Sequence, residues 1–144
     1  IAGLVYNYDE SKIIVRKNKI RTVAELRGKK IGVSFGTSSY FFLDIYLAHS
    51  NVPKSSVELI NILAQNLPEA MKNGEIDAIS TFEPYASETL RLLPDKATRM
   101  EKIELFREIF SLVGMKDALK NSTENFFLIT KIYMKNKLNT ELKI

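Results

Sequence analysis

Short apolar runs separated by glycine, proline and charged residues dominate the first hundred positions of this chain. Runs of four to eight apolar residues rich in β-branched side chains are typical of core strands. They predict strands at 13–15, 30–34, 57–63 and 77–81, with a short turn or helical step at 20–26 and helices at 40–48, 68–73 and 84–93 between them. This alternation predicts an α/β fold, with a mixed, mostly parallel sheet flanked by helices.

Two further patterns refine this prediction. The segment 40–48 is apolar nearly all round, so we expect its helix to pack on more than one side. Region 101–114 contains an apolar run that indicates one more strand, and a helix from about residue 122 places Phe126, Ile129 and Tyr133 on one face.

The turn that follows the strand at 30–34 is the most informative feature. Gly36 can adopt a backbone angle that other residues avoid, and Thr37, Ser38 and Ser39 are residue types that cap the start of a helix. Unpaired amides and the dipole at a helix start favour a carboxylate, sulfonate or phosphate, although an ordinary capped helix has the same sequence. Because ligands sit beyond the carboxyl ends of parallel strands, we expect loops 34–39, 64–66 and 81–85 to converge.

Composition limits the alternatives. The chain has 144 residues, a net charge of +4, one histidine and no cysteine. This length suits one domain or slightly more, and the lack of cysteine excludes thiol nucleophiles and disulfides. The lysines are scattered, which argues against nucleic acid as a partner, and no apolar run approaches the ~20 residues of a membrane span. The chain begins at Ile1, so we expect that an upstream segment was removed.

Few residues suggest catalysis. His49 lies near the end of the apolar helix without a second metal ligand nearby, and Asp77 is a lone carboxylate better explained as a strand-edge group than as a base. Glu83 precedes Pro84 and could either cap the next helix or accept a hydrogen bond from a ligand amine. Aromatic pocket walls, or ordinary core and surface positions, are the alternatives for Phe35, Tyr40 and Tyr85. No catalytic residue, metal site or cofactor is predicted.

Three segments together resemble a known family. They are TVAELRGKKIGVSFGTSSYFFLDIYL (22–47), LPEAMKNGEIDAISTFEPYAS (67–87) and FSLVGMKDALKNSTENFFLITK (110–131). Their order and spacing are similar to type 2 periplasmic substrate-binding proteins of ABC transporters, in the NMT1/THI5-like and SsuA/TauA-like group. The similarity covers about residues 13–135. Phe82 stands where related sequences often carry tryptophan, which leaves the size of the ligand open.

The resemblance implies an organisation and a function. Residues 1–20 would cross from a missing first lobe, 21–100 would form the second lobe, and 101–144 would return with helices toward the first lobe. Such a protein binds a small molecule between two lobes and delivers it to a membrane permease, in the periplasm or outside the cell, with a lipid anchor on some full-length proteins. The resemblance implies that most of the first lobe would precede Ile1. We therefore expect this chain alone to bind the ligand weakly.

By resemblance, the Gly36 turn contacts the anionic end of the ligand and the other two loops line the cleft. The implied ligand-binding residues are Ser34, Gly36, Thr37, Ser38, Ser39, Tyr40, Gln65, Asn66, Thr81, Glu83 and Tyr85. The principal alternative is the extracytoplasmic ligand-sensing domain of a signalling receptor. An enzyme on the same architecture would resemble the thiamine-pyrimidine synthases, whose cysteine-rich motif this chain lacks. The effector domain of a LysR-type regulator shares the fold, but nothing here resembles its winged-helix partner.

Overall fold

The computed structural model describes residues 2–7, 9–103 and 108–112, and the single positions 117, 128 and 131. The chain forms two compact units, one of Ile1–Asn7 with Glu108–Ile144 and one of Tyr8–Arg107. These bounds differ from the predicted division at residues 20 and 100. The assignment of each part to a first or second lobe stays a prediction, and the predicted helix from residue 122 lies outside the described residues except at positions 128 and 131.

The smaller unit contains a two-stranded antiparallel sheet. Strand β1 (Ala2–Asn7) pairs with β7 (Glu108–Leu112), with Ala2 opposite Leu112 and a register shift between Gly3 and Val5. Strand β7 lies inside the predicted strand region 101–114. Strand β1 was not predicted, because its partner is more than a hundred residues away and no local pattern indicates the pairing.

The larger unit is built on a five-stranded sheet in the order β4-β3-β5-β2-β6. The strands are β2 (Ser11–Arg16), β3 (Lys30–Val33), β4 (Glu58–Asn61), β5 (Ala78–Phe82) and β6 (Ala97–Arg99). Strand β3 pairs parallel with β4 and β5, whereas β2 is antiparallel to β5 and β6. Four of the five strands therefore share one direction, which confirms the mixed, mostly parallel α/β fold.

Every helix predicted before residue 100 is present, with shifted ends. The helices are α1 (Ser38–His49), α2 (Leu67–Asn73) and α3 (Tyr85–Leu92), with short 3-10 helices at Val23–Leu26, Lys54–Ser56 and Ala64–Asn66. Gly74 ends α2 in the left-handed conformation, with φ of 84°, as its sequence position predicts. Pro84 stands one residue before α3 rather than inside it.

The core lies on both faces of the sheet. Buried side chains of β3 such as Ile31 and Val33 pack with α1 on one face, and Ile79 packs with α2 residues such as Met71 on the other. The predicted packing of α1 on more than one side is wrong. Its buried residues (Ser39, Phe42, Leu43, Tyr46 and Leu47) recur at helical spacing on one face, and Phe41 is 57% exposed. Strand β4 lies at the sheet edge and is only partly buried, so it is not the predicted core strand.

Two polar residues occupy structural positions. Asp77 precedes β5, where its carboxylate accepts a hydrogen bond from the Lys30 amide at 3.2 Å and pairs with Lys19. Partial burial alone raises the pKa of Asp77, but the contacts with Lys19 and Lys30 outweigh it and lower the pKa. Asp77 thus joins strands at the amino end of β3, as the strand-edge interpretation predicts. His49 is the exposed last residue of α1.

Within the residues that the structure describes, no helix has both the length and the hydrophobicity of a membrane span.

Candidate anion-binding site

Three strands of the larger sheet end at a common edge. Val33, the last residue of β3, lies opposite Asn61 of β4 and Ser80 of β5. All three strands run in the same direction, so the loops that follow them emerge together at the carboxyl edge. The backbone thus brings the ends of these three strands to one edge, while the convergence of loops 34–39, 64–66 and 81–85 on one ligand stays a prediction.

The turn after β3 is open at its glycine. Gly36 has φ of 76°, a conformation that favours glycine, and apart from Gly36 and its two chain neighbours no described residue has an atom within 4 Å of the position a Cβ would occupy. The Phe35 amide donates a hydrogen bond to Asn61 Oδ1 at 3.1 Å, which ties this turn to the end of β4. Sequence analysis did not identify Asn61. Its position at the end of a neighbouring parallel strand was the available indication.

The hydroxyl groups at the start of α1 act differently from the prediction. Thr37 Oγ1 donates to the carbonyl of Ser34 at 2.6 Å and lies 2.9 Å from Ser39 Oγ. Because the Thr37 hydroxyl uses its one proton in the hydrogen bond to Ser34, Thr37 Oγ1 acts as the acceptor for the Ser39 hydroxyl. Thr37 is the N-cap residue but makes no side-chain cap hydrogen bond, and α1 begins at Ser38. The predicted capping of α1 by Thr37, Ser38 and Ser39 side chains is therefore wrong.

The first turn of α1 is also held by a hydrogen bond from strand β5. Ser80 of β5 is fully buried, and its hydroxyl donates to the Ser39 carbonyl at 2.7 Å. Ser39 itself is fully buried. The sheet therefore fixes the direction in which this helix end points.

Backbone amides are the donors that remain at this turn. Among the described residues, the amides of Gly36, Thr37, Ser38 and Ser39 have no hydrogen-bond acceptor, whereas the Tyr40 amide donates to the Thr37 carbonyl at 3.2 Å. These four amides stand at the start of a 12-residue helix, where the helix dipole is positive. Gly36 and Ser38 are exposed and Thr37 is partly exposed, so an anion can reach these three amides from solvent, whereas Ser39 is buried.

An aromatic pair stands beside the same turn. The rings of Phe35 and Tyr40 have centroids 4.8 Å apart, and Phe35 is 45% exposed. Lys54 Nζ donates to the Tyr40 hydroxyl at 2.8 Å and to Asp44 at 2.8 Å. The hydrogen bonds to Asp44 and Tyr40 raise the pKa of Lys54. Sequence analysis missed Lys54, because only the folded loop after α1 brings it to these partners.

Glu83 uses both carboxylate oxygens within the chain. Oε1 lies 3.0 Å from Lys12 Nζ, and Oε2 accepts the amide of Ser87 in the first turn of α3 at 3.1 Å. Burial alone raises the pKa of Glu83, but the hydrogen bonds from Lys12 and Ser87 prevail and hold it below its usual range. The helix-capping alternative for Glu83 is thus observed.

Thr81 and Tyr85 lie next to Glu83. Thr81 is fully buried, and its hydroxyl has no hydrogen-bond partner in the described part of the chain. Since Ser80 faces α1 and side chains alternate along a strand, Thr81 faces the α2 and α3 side. The Tyr85 ring packs edge-on against Phe82, with centroids 5.6 Å apart.

Gln65 and Asn66 line a different cavity from the Gly36 turn. Both are exposed in the 3-10 helix before α2, on a surface cavity of about 340 Å³. Its other lining residues are Ile62, Glu69, Ala70, Asn73 and Glu75. The structure thus groups the predicted residues from Ser34 to Tyr40, but places Gln65 and Asn66 in a cavity that these residues do not line.

Among the described residues, no three histidine, cysteine, aspartate or glutamate side chains are grouped as metal ligands.

Comparison with known proteins identifies relatives of similar sequence and fold. The model of the NMT1/THI5-like family matches residues 2–115. A Haemophilus influenzae protein named for thiamine biosynthesis is 25% identical over 87% of this chain and 38% of its own length. A Bacillus subtilis protein named for binding aliphatic sulfonates is 34% identical over 72% of this chain and 32% of its own length. The chain spans about a third of the length of these curated relatives.

A solved structure gives the same fold. The alkanesulfonate-binding protein SsuA from Xanthomonas axonopodis pv. citri, bound to MOPS, matches with a TM-score of 0.61 and 27% identity. The match covers 69% of this chain and 35% of that protein. The five-stranded sheet and its helices therefore have the fold of a periplasmic binding protein.

Proposed function

We propose, from the premise that this chain belongs to the NMT1/THI5-like family, that it contributes ligand-binding residues to the solute-binding component of an ABC importer. The ligand class is a small organic anion. Delivery to a membrane permease, and a location outside the cytoplasm, are parts of the same proposal. The names of the Bacillus and Xanthomonas proteins, both sulfonate binders, support it.

The observation that carries this proposal is the row of amides at the Gly36 turn. Gly36, Thr37 and Ser38 offer three N–H groups that have no acceptor among the described residues and stand at exposed or partly exposed positions at the positive end of α1. A sulfonate presents three oxygens with a charge that persists at all physiological pH values. Several amides can therefore donate to one such group together, at the end of a helix dipole that favours it.

The remaining predicted residues have supporting roles in this proposal. The Ser34 carbonyl positions Thr37, and Tyr40 packs against Phe35 beside the turn. Gln65, Asn66, Thr81, Glu83 and Tyr85 stay predicted ligand contacts on the basis of the family resemblance. For Glu83, a ligand amine would compete with Lys12, which already pairs with its carboxylate.

A thermal-shift screen of the full-length gene product tests the ligand class. The probes are ethanesulfonate, nitrate, succinate, a polyamine and an aminopyrimidine, the last included because of the name of the Haemophilus relative. A ligand at a hundred times its Kd stabilises the native state by about 2.7 kcal/mol, which raises Tm measurably. We expect ethanesulfonate to raise Tm. A rise with the polyamine alone would contradict an anion site.

A charge placed on the helix start tests the site itself. Ser38 is the exposed first residue of α1, so the carboxylate of Ser38→Asp would occupy the place of the anion. We expect this variant to lose ethanesulfonate binding, while the favourable dipole interaction stabilises the fold by about 0.3–1 kcal/mol. Ser38→Asn is the uncharged control and should keep binding. Full affinity in Ser38→Asp would contradict the proposed site.

A further inference from the structure

We propose that the exposed ring of Phe35 is a specificity platform, which selects anions that carry a flat or apolar organic group over small inorganic anions. The inference rests on the proposed function, because it concerns the part of the ligand that extends beyond the anionic group. Phe35 directly precedes Gly36, the first residue of the free amides. An anion held on those amides would place its substituent near this ring.

The backbone of the platform is fixed from the sheet side. The Phe35 amide donates to Asn61 Oδ1 at 3.1 Å, and this bond joins the turn to the end of β4. On the other side of Phe35, the left-handed conformation of Gly36 sets the direction of the chain. The ring therefore starts from a backbone position that is restrained on both sides.

The ring itself is held by a second aromatic residue. Phe35 and Tyr40 have centroids 4.8 Å apart with an interplanar angle of 33°. Tyr40 is held in turn by Lys54, whose ammonium donates to the hydroxyl at 2.8 Å and lies 4.4 Å from the ring centroid. Asp44 forms an ion pair with Lys54 and so holds the ammonium group next to Tyr40. Phe35 and Tyr40 thus have a defined arrangement before a ligand arrives.

The exposed surface of the Phe35 ring is available for contact with a ligand. A ring that is 45% exposed keeps apolar surface in water, and covering it on binding is favourable. Because the ring is already ordered, a ligand loses little free energy in fixing it. An aromatic or alkyl substituent would gain from this contact, whereas nitrate or sulfate has no group to place there. Lys54 acts as a positioning residue through Tyr40.

Calorimetric titration of the full-length gene product with methanesulfonate and benzenesulfonate tests the platform. We expect benzenesulfonate to bind more tightly. Phe35→Ala should weaken benzenesulfonate about fivefold, the scale of one aromatic contact, and change methanesulfonate less than twofold. Lys54→Met should reduce the preference for benzenesulfonate while leaving methanesulfonate affinity unchanged, which a loss of folding alone would not produce.

Phe41→Ala is the matched control, because it removes a phenyl ring that is 57% exposed on α1 outside the Gly36 turn. It should leave the preference unchanged. An equal loss for both sulfonates in Phe35→Ala, or the same loss of preference in Phe41→Ala, would overturn the platform and leave the anion site intact. Failure of the wild-type protein to bind either sulfonate would overturn the platform, and failure to bind succinate as well would overturn the proposed function.

Discussion

Gly32 at the centre of β3 is the position where a single methyl group is expected to disturb the fold most directly. It is buried on the face of the sheet that α2 covers. A Cβ at this position would lie 2.5 Å from Ile76 Cδ1 and 2.9 Å from Leu67 Cδ2, both shorter than van der Waals contact. Ile76 and Leu67 are themselves fully buried, at 1% and 0% exposure, so neither can swing into solvent.

The cost of Gly32→Ala follows from this overlap. Extra methyl groups in a packed core force side chains from their rotamers or shift the backbone, at about 1–3 kcal/mol. For a chain of this size, each kcal/mol lowers Tm by about 2–4 °C, so we expect a fall of roughly 2–12 °C. Urea unfolding followed by circular dichroism would measure the loss of free energy, with the dependence on urea unchanged.

A second substitution shows whether the overlap is the cause. Ile76→Val removes the Cδ1 atom that lies nearest to the added methyl group, and by itself it should cost about 0.5–1.5 kcal/mol. The double variant with Gly32→Ala should be more stable than the sum of the two losses by about 1 kcal/mol. Additive losses, or an unchanged stability in Gly32→Ala, would refute the reasoning.

Three polar groups give further predictions. Thr81→Val removes a buried hydroxyl without a partner among the described residues and should stabilise the fold by about 1 kcal/mol; a lower Tm would contradict this. Ser80→Ala should cost about 0.5–1.5 kcal/mol in urea unfolding, because it removes the hydrogen bond from the Ser80 hydroxyl to the Ser39 carbonyl; unchanged stability would contradict that bond. The pKa of Glu83 is lower in the folded state, so its stabilisation is present above about pH 5 and lost on acidification. Glu83→Gln should therefore flatten the fall of the urea midpoint below pH 5, and an unaltered pH profile would disprove this contribution.

The sequence predicted those helix ends and turns whose conformation depends on one residue and its immediate neighbours. Gly74 ends α2 because a left-handed residue there needs no side chain, and Gly36 opens the turn before α1 for the same reason. The direction of β3, β4 and β5 follows from their alternation with helices, and it brings their loops to one edge. These parts of the site depend on short stretches of chain.

Contacts between distant segments could not be predicted in the same way. Asn61 reaches the Phe35 amide across 26 positions, and Lys54 reaches Tyr40 across 14. The apolar sequence of α1 does not show that Phe41 stays exposed, since exposure depends on what packs against the helix. For Thr37, a bond to its own helix and a bond to Ser34 are both local, and only the folded turn decides between them.

Amide NMR spectra recorded during a titration with methanesulfonate test the central claim most directly. Hydrogen bonds to the anion should move the amide protons of Gly36, Thr37 and Ser38 of the full-length gene product downfield, more than other amides of residues 9–103. The dependence of these shifts on the methanesulfonate concentration would give the Kd of the anion at this turn. If these three amides stay unchanged while those around Gln65 and Asn66 move, the anion binds elsewhere and the account is wrong.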